Sequence, residues 1–134
     1  MSHLLNALAQ ANGASLAVAD ERTSTLTGTG IDVQDYEGIA LIVLNSGAAS
    51  AGTNPTLNVK LQESSDDGDA DAYADVSGAT FTEVTGVAGT AGVQVLKVNV
   101  SDLERYIRVI GTIGGTSTPT FDFSVEFIGF KKAA

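Results

Sequence analysis

The last third of the chain alternates apolar and polar residues as β-strands do. In residues 121–127 the odd positions are apolar and the even positions are Asp122, Ser124 and Glu126. A side-chain period of two indicates a strand with one buried face and one solvated face. A second apolar segment, residues 106–113, comes before it, and Gly114-Gly115 between the two predicts a hairpin connection.

Similar segments occur earlier in the chain. Residues 56–62 alternate cleanly, and the uninterrupted apolar run in residues 36–45 predicts a strand buried on both faces. Shorter strand candidates are residues 23–27, 31–34, 79–84 and 93–100. About eight short strands without a long helix predict an all-β fold, an antiparallel β-sandwich that is jelly-roll-like or Ig-like. The predicted core consists of apolar strand residues: Leu41, Val43, Leu57, Val59, Leu61, Val98, Ile107, Val109, Phe121, Phe123, Val125 and Phe127.

Residues 1–19 differ from the rest of the chain. Leu4, Leu5 and Leu8 have helical spacing, but Asn12-Gly13 ends the pattern after about two turns, and so short a helix is marginal alone. We therefore expect residues 1–19 to form an N-terminal arm that orders against a neighbouring subunit, with residues 20–134 as the sandwich domain. The three leucines are then interface candidates. The alternative is a short helix packed on its own domain.

Charge and composition narrow the range of partners. The 134 residues suit one domain, and the net charge of −9 argues against binding nucleic acid or an anionic membrane surface, whose phosphates would repel it. The longest apolar run has six residues, far short of the roughly 20 that a membrane-spanning helix needs. With no cysteine, disulfides and thiolate metal sites are ruled out.

An acidic segment supplies the obvious candidate for metal chemistry. Asp67, Asp69 and Asp71 are spaced like the first three ligands of a calcium-binding loop. The sixth position is Ala72 rather than Gly, and the twelfth is Gly78 rather than Glu. We therefore expect a solvated loop, because Asp and Gly favour turns, with weak Ca²⁺ binding as the alternative.

The residues of an enzyme site are scarce. His3 is the only histidine, so neither a catalytic triad nor a histidine metal cluster is easily built, and we expect no enzyme activity and no cofactor. Arg105 and Arg108 flank a strand segment, and arginine is favoured at interfaces because its planar guanidinium pairs with carboxylates. Both are interface candidates, with ordinary cross-strand ion pairs as the alternative.

Five segments between residues 20 and 131 have motifs that are structural rather than catalytic: Gly30–Gly38, Leu57–Gly68, Ala79–Val84, Val98–Val109, and Pro119 into the terminal strand. Together they resemble the capsid decoration, or cement, proteins of tailed bacteriophages.

The resemblance implies a non-enzymatic β-sandwich that binds the outside of an assembled icosahedral shell. The expected partners are the phage major capsid protein and further copies of the chain, with a trimer favoured, and the expected location is the virion surface after synthesis in the host cytoplasm. The alternatives are another virion part, such as a tail or head–tail connector protein, and a secreted ligand-binding β-sandwich.

Overall fold

The computed structural model describes residues 10–132, which form nine strands and two single 3-10 turns, Ala88–Thr90 and Val100–Asp102. The strands are β1 (Ala11–Arg22), β2 (Leu26–Thr27), β3 (Ile31–Asp32), β4 (Tyr36–Ser46), β5 (Ala51–Ser64), β6 (Ala74–Thr80), β7 (Val84–Thr85), β8 (Gly92–Asn99) and β9 (Tyr106–Lys131). The all-β fold is thereby confirmed. Within residues 10–132, no helix is long and apolar enough to cross a membrane.

Two antiparallel sheets share the longest strand, β9. In the first sheet the strand order is β1, the C-terminal half of β9, β4 and β8. In the second sheet, β2 and β3 pair with one edge of the N-terminal half of β9, β5 pairs with its other edge, and β6 and β7 pair with β5. Because all pairs are antiparallel, the chain needs no crossover helix.

The predicted hairpin between residues 113 and 121 is wrong. β9 runs on from the second sheet into the first, and it bends where Gly115, Ser117 and Thr118 take positive φ values of 111°, 60° and 55°. β5 bends beside it, with positive φ at Gly52 and Asn54. The two bent strands stay paired through Ala51↔Thr120 and Thr53↔Thr116, so they form a corner shared by both sheets.

The core lies between the sheets and is built around the alternating apolar residues of β9. Phe121, Phe123 and Phe127 are fully buried, and the Phe127 ring meets the Tyr36 ring edge-on with centroids 4.8 Å apart. Most of the predicted core is buried, except for Leu41, Val43 and Val98, which are half-buried. The prediction that β4 is buried on both faces is wrong, since only its even positions from Ala40 to Ser46 point inward.

The assignment of residues 11–19 to an arm needs correction. They form most of β1, which pairs antiparallel with β9 from Ala11↔Phe130 to Arg22↔Phe121. Leu16 and Ala17 are buried in the core, at a bulge where the register shifts. Burial of these side chains holds the segment on its own domain. The helical spacing of Leu4, Leu5 and Leu8 lies outside the described residues.

Candidate interaction surface

The solvent-facing side of the first sheet is unusually apolar, and we call it the outer apolar face. Ile39, Val93, Val95, Ile128 and Phe130 are exposed by 37–64% of their area, and Leu41 and Val43 beside them are half-buried. Soluble monomers rarely present contiguous apolar surface of this kind unless it meets a partner.

Strand register makes these residues neighbours. Val43 pairs with Val95 of β8 on one side, and Leu41 pairs with Ile128 of β9 on the other. Directly opposite residues of an antiparallel pair lie on the same face, about 5 Å apart. Gly13 of β1 lies opposite Ile128 and adds no side chain that could cover it. The result is one apolar strip across β9, β4 and β8.

Three charged residues lie beside the apolar side chains of the strip. Lys97 lies opposite Leu41, Glu126 lies opposite Val43, and Glu37 lies opposite Phe130. The apolar run of β4 predicts a doubly buried strand, and this prediction leaves no exposed apolar surface on the first sheet. The signal that could have identified it is Val93-Gln-Val-Leu-Lys-Val, whose odd positions are valine, valine and lysine.

A groove of about 520 Å³ opens at the end of the sandwich where β4 begins. Its apolar lining includes Val33, Tyr36, Val100 and Leu103, and Arg105 lies at its border. The groove is open to solvent, and its polar lining includes Glu37, Ser101, Glu104 and Lys132.

The acidic segment folds around the Asp66 carboxylate. This group accepts hydrogen bonds from the backbone amides of Asp69, Ala70 and Asp71 at 2.8–3.2 Å. These bonds, above all that from Ala70, hold the pKa of Asp66 below its ordinary value of 3.8. The loop therefore satisfies its own polar groups through Asp66, a residue outside the predicted ligand set.

The three candidate calcium ligands, Asp67, Asp69 and Asp71, make different hydrogen bonds. The Asp67 carboxylate accepts a hydrogen bond from the Tyr73 hydroxyl. Burial of the Tyr73 side chain, together with this hydrogen bond, raises the pKa of Tyr73. Asp71 accepts hydrogen bonds from the amide and the hydroxyl of Ser65. Asp69 contributes only its backbone amide to the contacts of the loop. In the part of the chain that the structure describes, no three acidic, histidine or cysteine side chains are grouped to hold a metal ion.

The two arginines make contacts within their own chain. Arg105 donates to Asp32 at 2.8 Å, and this pairing holds the pKa of Asp32 below its ordinary value. Arg108 donates to Gln62 at 3.0 Å and lies over the Tyr73 ring, 4.1 Å from its centroid. Arg105 thus forms a cross-strand ion pair, whereas Arg108 has no ion pair among residues 10–132. The side chains of Leu4, Leu5 and Leu8 lie outside the described residues.

Comparison with solved structures shows the fold. The chain is similar to a protein in a structure of infectious bursal disease virus, Gx strain, with a TM-score of 0.54 and 11% identity over 92% of this chain and 32% of that one. It is also similar to VP2 of the same virus in a subviral particle, with a TM-score of 0.55 and 12% identity over 90% of this chain and 32% of that one. The chain therefore spans about a third of the length of these virus proteins.

The SPBc2 prophage-derived protein YomS aligns over 89% of this chain and 93% of its own, with 8% identity and a TM-score of 0.46. No family model and no curated protein sequence matches the chain. The two virus proteins have in common with this chain a β-rich fold at low sequence identity.

Proposed function

We propose that the protein is a non-enzymatic structural component of a virus particle, a capsid decoration protein of the tailed-phage type. In this role it binds the outside of the assembled shell, contacts the major capsid protein and stabilises the particle. The observation that carries the proposal is the outer apolar face, an exposed strip on an otherwise acidic domain.

The chemistry of the described loops supports a structural role. The acidic loop uses Asp66 and Asp71 to bind its own backbone amides, and Arg105 is paired with Asp32. These groups hold neighbouring segments of the chain together. Among the described residues, the exposed large apolar side chains are mostly valines and isoleucines of the first sheet.

The fold is also favourable to the proposal. A similar fold occurs in VP2 of infectious bursal disease virus, a protein found in a subviral particle. Together with the resemblance of residues 20–131 to decoration proteins, this favours a virion component over a secreted ligand-binding module. A small rigid sandwich is also suited to binding at many equivalent places on a shell.

The energetics of such binding do not require a large interface. A fully buried valine or isoleucine side chain contributes roughly 1.5–3 kcal/mol, and these side chains are already partly shielded. Weak contacts suffice when many copies bind one lattice, because binding to the assembled state stabilises it by mass action.

The test is binding to shells assembled from the major capsid protein of the same virus without this protein. We expect the purified protein to sediment with the shells, to saturate and to raise the temperature at which they disassemble. Unassembled capsid protein is the control, and it should bind less. Absence of the protein from sedimented shells and from purified virions would overturn the proposal.

Copy number and position on the virion distinguish the two virion roles. Cryo-electron microscopy should show density for the protein distributed over the whole shell. Density confined to one vertex or to the tail would identify a connector or tail protein instead.

A further inference from the structure

We propose that the outer apolar face of one copy is covered by residues 1–9 of a second copy, so that the protein associates with itself by exchanging this segment. The inference concerns the isolated protein with no shell present. It uses the same face that we propose for the shell, so a shell and a second copy would compete for it.

The position of β1 brings the segment to the border of this face. Ala11 begins β1 and lies opposite Phe130, which is 37% exposed at one end of the apolar strip. Two residues along, Gly13 lies opposite Ile128. The first strand of the described chain therefore begins beside exposed apolar side chains.

The composition of the segment matches the chemistry of the face. Residues 1–9 include Leu4, Leu5 and Leu8 and contain no acidic residue, although the chain carries a net charge of −9. Three leucines at this spacing lie along one side of a helix. Among the segments of this acidic chain, residues 1–9 are apolar and free of charged carboxylates, so electrostatic repulsion would not keep them from a second copy.

The dimensions also agree. Eight residues in a helix extend about 12 Å, and the axes of β9 and β8 lie about 10 Å apart because β4 is between them. One short helix could therefore reach across the strip from Ile128 through Leu41 and Val43 to Val95. In an extended conformation the segment would reach further than it does as a helix.

The sequence favours covering of the face of a second copy over covering of the face of the same copy. To cover its own face, the segment would have to reverse direction immediately before β1. No Gly, Pro, Asn or Asp lies between Leu8 and Ala11 to make that turn, and Asn12-Gly13 is already paired with Gly129 and Ile128 in β1. A segment that continues beyond the end of β1 instead meets a neighbouring molecule.

The first experiment measures self-association by sedimentation velocity, with no shell present. We expect the full chain to associate, and we expect deletion of residues 2–9 or the change Val95→Lys to weaken association by at least about tenfold in Kd, because either change removes apolar burial worth more than about 1.4 kcal/mol. The matched control is Val87→Lys, since Val87 is 66% exposed but lies outside the face. It should associate like the unaltered chain.

The second experiment tests exchange directly by mixing two variants. The deletion variant keeps an open face but lacks the segment, whereas the Val95→Lys variant keeps the segment but has a damaged face. We expect the mixture to form a complex that neither variant forms alone.

Three results would overturn the inference. They are a full chain that stays monomeric at all accessible concentrations, a deletion variant that associates undiminished, and a mixture that does not associate. Each can occur whether or not the protein binds shells, so the outcome is independent of the test of the proposed function.

Discussion

Gly115 lies in the bend of β9, where the strand leaves the second sheet and enters the first. Its φ of 111° is outside the range that L-residues favour, and a Cβ there would lie 2.8 Å from the carbonyl oxygen of Asn54 in β5. Glycine is thus required both by the backbone conformation and by the close approach of the two bent strands.

We predict that Gly115→Ala lowers the free energy of unfolding by about 1–3 kcal/mol, the cost of holding a side chain in a strained backbone region. Chemical denaturation measures the change. The control is Gly89→Ala, because a Cβ at Gly89 would meet nothing within 4 Å. Equal stability of the two variants would show that the bent segments of β5 and β9 can shift to accommodate a Cβ atom at position 115.

The acidic loop is held in its conformation by the carboxylate of Asp66, which accepts hydrogen bonds from three backbone amides. Since its pKa is lower in the folded protein than its ordinary value of 3.8, its stabilising effect is fully present above that value and is lost as the pH falls through the folded pKa. We predict that Asp66→Asn lowers the melting temperature at pH 7 and that this difference narrows below about pH 4.

Asp69→Asn is the matched control for Asp66, because it removes the same charge from the same loop. The Asp69 side chain accepts no hydrogen bond from the described part of the chain. Its replacement should leave the melting temperature nearly unchanged at every pH. If both variants lost stability equally, the effect would come from loop charge rather than from the backbone amides that Asp66 binds.

At the scale of elements, β1 is part of the sandwich domain, and we expect residues 1–9 before it to be dispensable for folding. Leu16 and Ala17 are buried in β1, and Arg22 donates to the carbonyl of Phe123 at 2.8 Å while lying over its ring. We predict that deleting residues 2–9 leaves the sandwich folded, whereas deleting residues 2–19 strongly destabilises or unfolds it. Circular dichroism during heating measures both.

A point variant supports the interpretation of these truncations. Leu16→Ala should cost about 2–5 kcal/mol, as large-to-small changes in a core do. The exposed neighbour Val18, changed to Ala, should cost little. A stable sandwich after deletion of residues 2–19 would mean that β1 is dispensable, as an arm would be.

The elements also show which features the sequence could predict. Strict alternation in residues 121–127 correctly predicted an inward row of β9, because packing against the core demands it. The prediction that Ser124 faces solvent is wrong, since Ser124 is buried. The bend at Gly115 looked like a hairpin, since glycines predict a change of direction but not its angle. β1 was missed because its bulge puts Leu16 and Ala17 side by side, which breaks the period of two.

The candidate site was harder to predict than the fold. The self-contained acidic loop agrees with the expectation that its Asp and Gly residues form turns. The outer apolar face could not be identified from β4, because a local apolar run does not reveal whether a second layer covers it. In β4 that layer exists on one side only, and this leaves Ile39, Leu41 and Val43 toward solvent.

At the scale of the whole molecule, two opposing properties meet in one small domain. The net charge of −9 repels further copies, whereas the proposed contact at the outer apolar face would hold them together. Charge repulsion between copies acts over a Debye length, about 10 Å at 0.1 M salt and about 3 Å at 1 M, while apolar burial does not weaken as salt is added. Salt concentration therefore distinguishes the two contributions.

We predict that self-association tightens as sodium chloride rises from about 0.05 M to about 0.5 M, because screening removes repulsion between acidic copies and leaves apolar contact intact. Sedimentation velocity of the full chain across this range measures the Kd. Glu126→Gln supplies the internal comparison, since Glu126 is a charge within the face, opposite Val43. This variant should associate more tightly than the unaltered chain at low salt and should differ less at high salt. Association that loosens with added salt would mean that ion pairs, rather than the outer apolar face, hold the copies together.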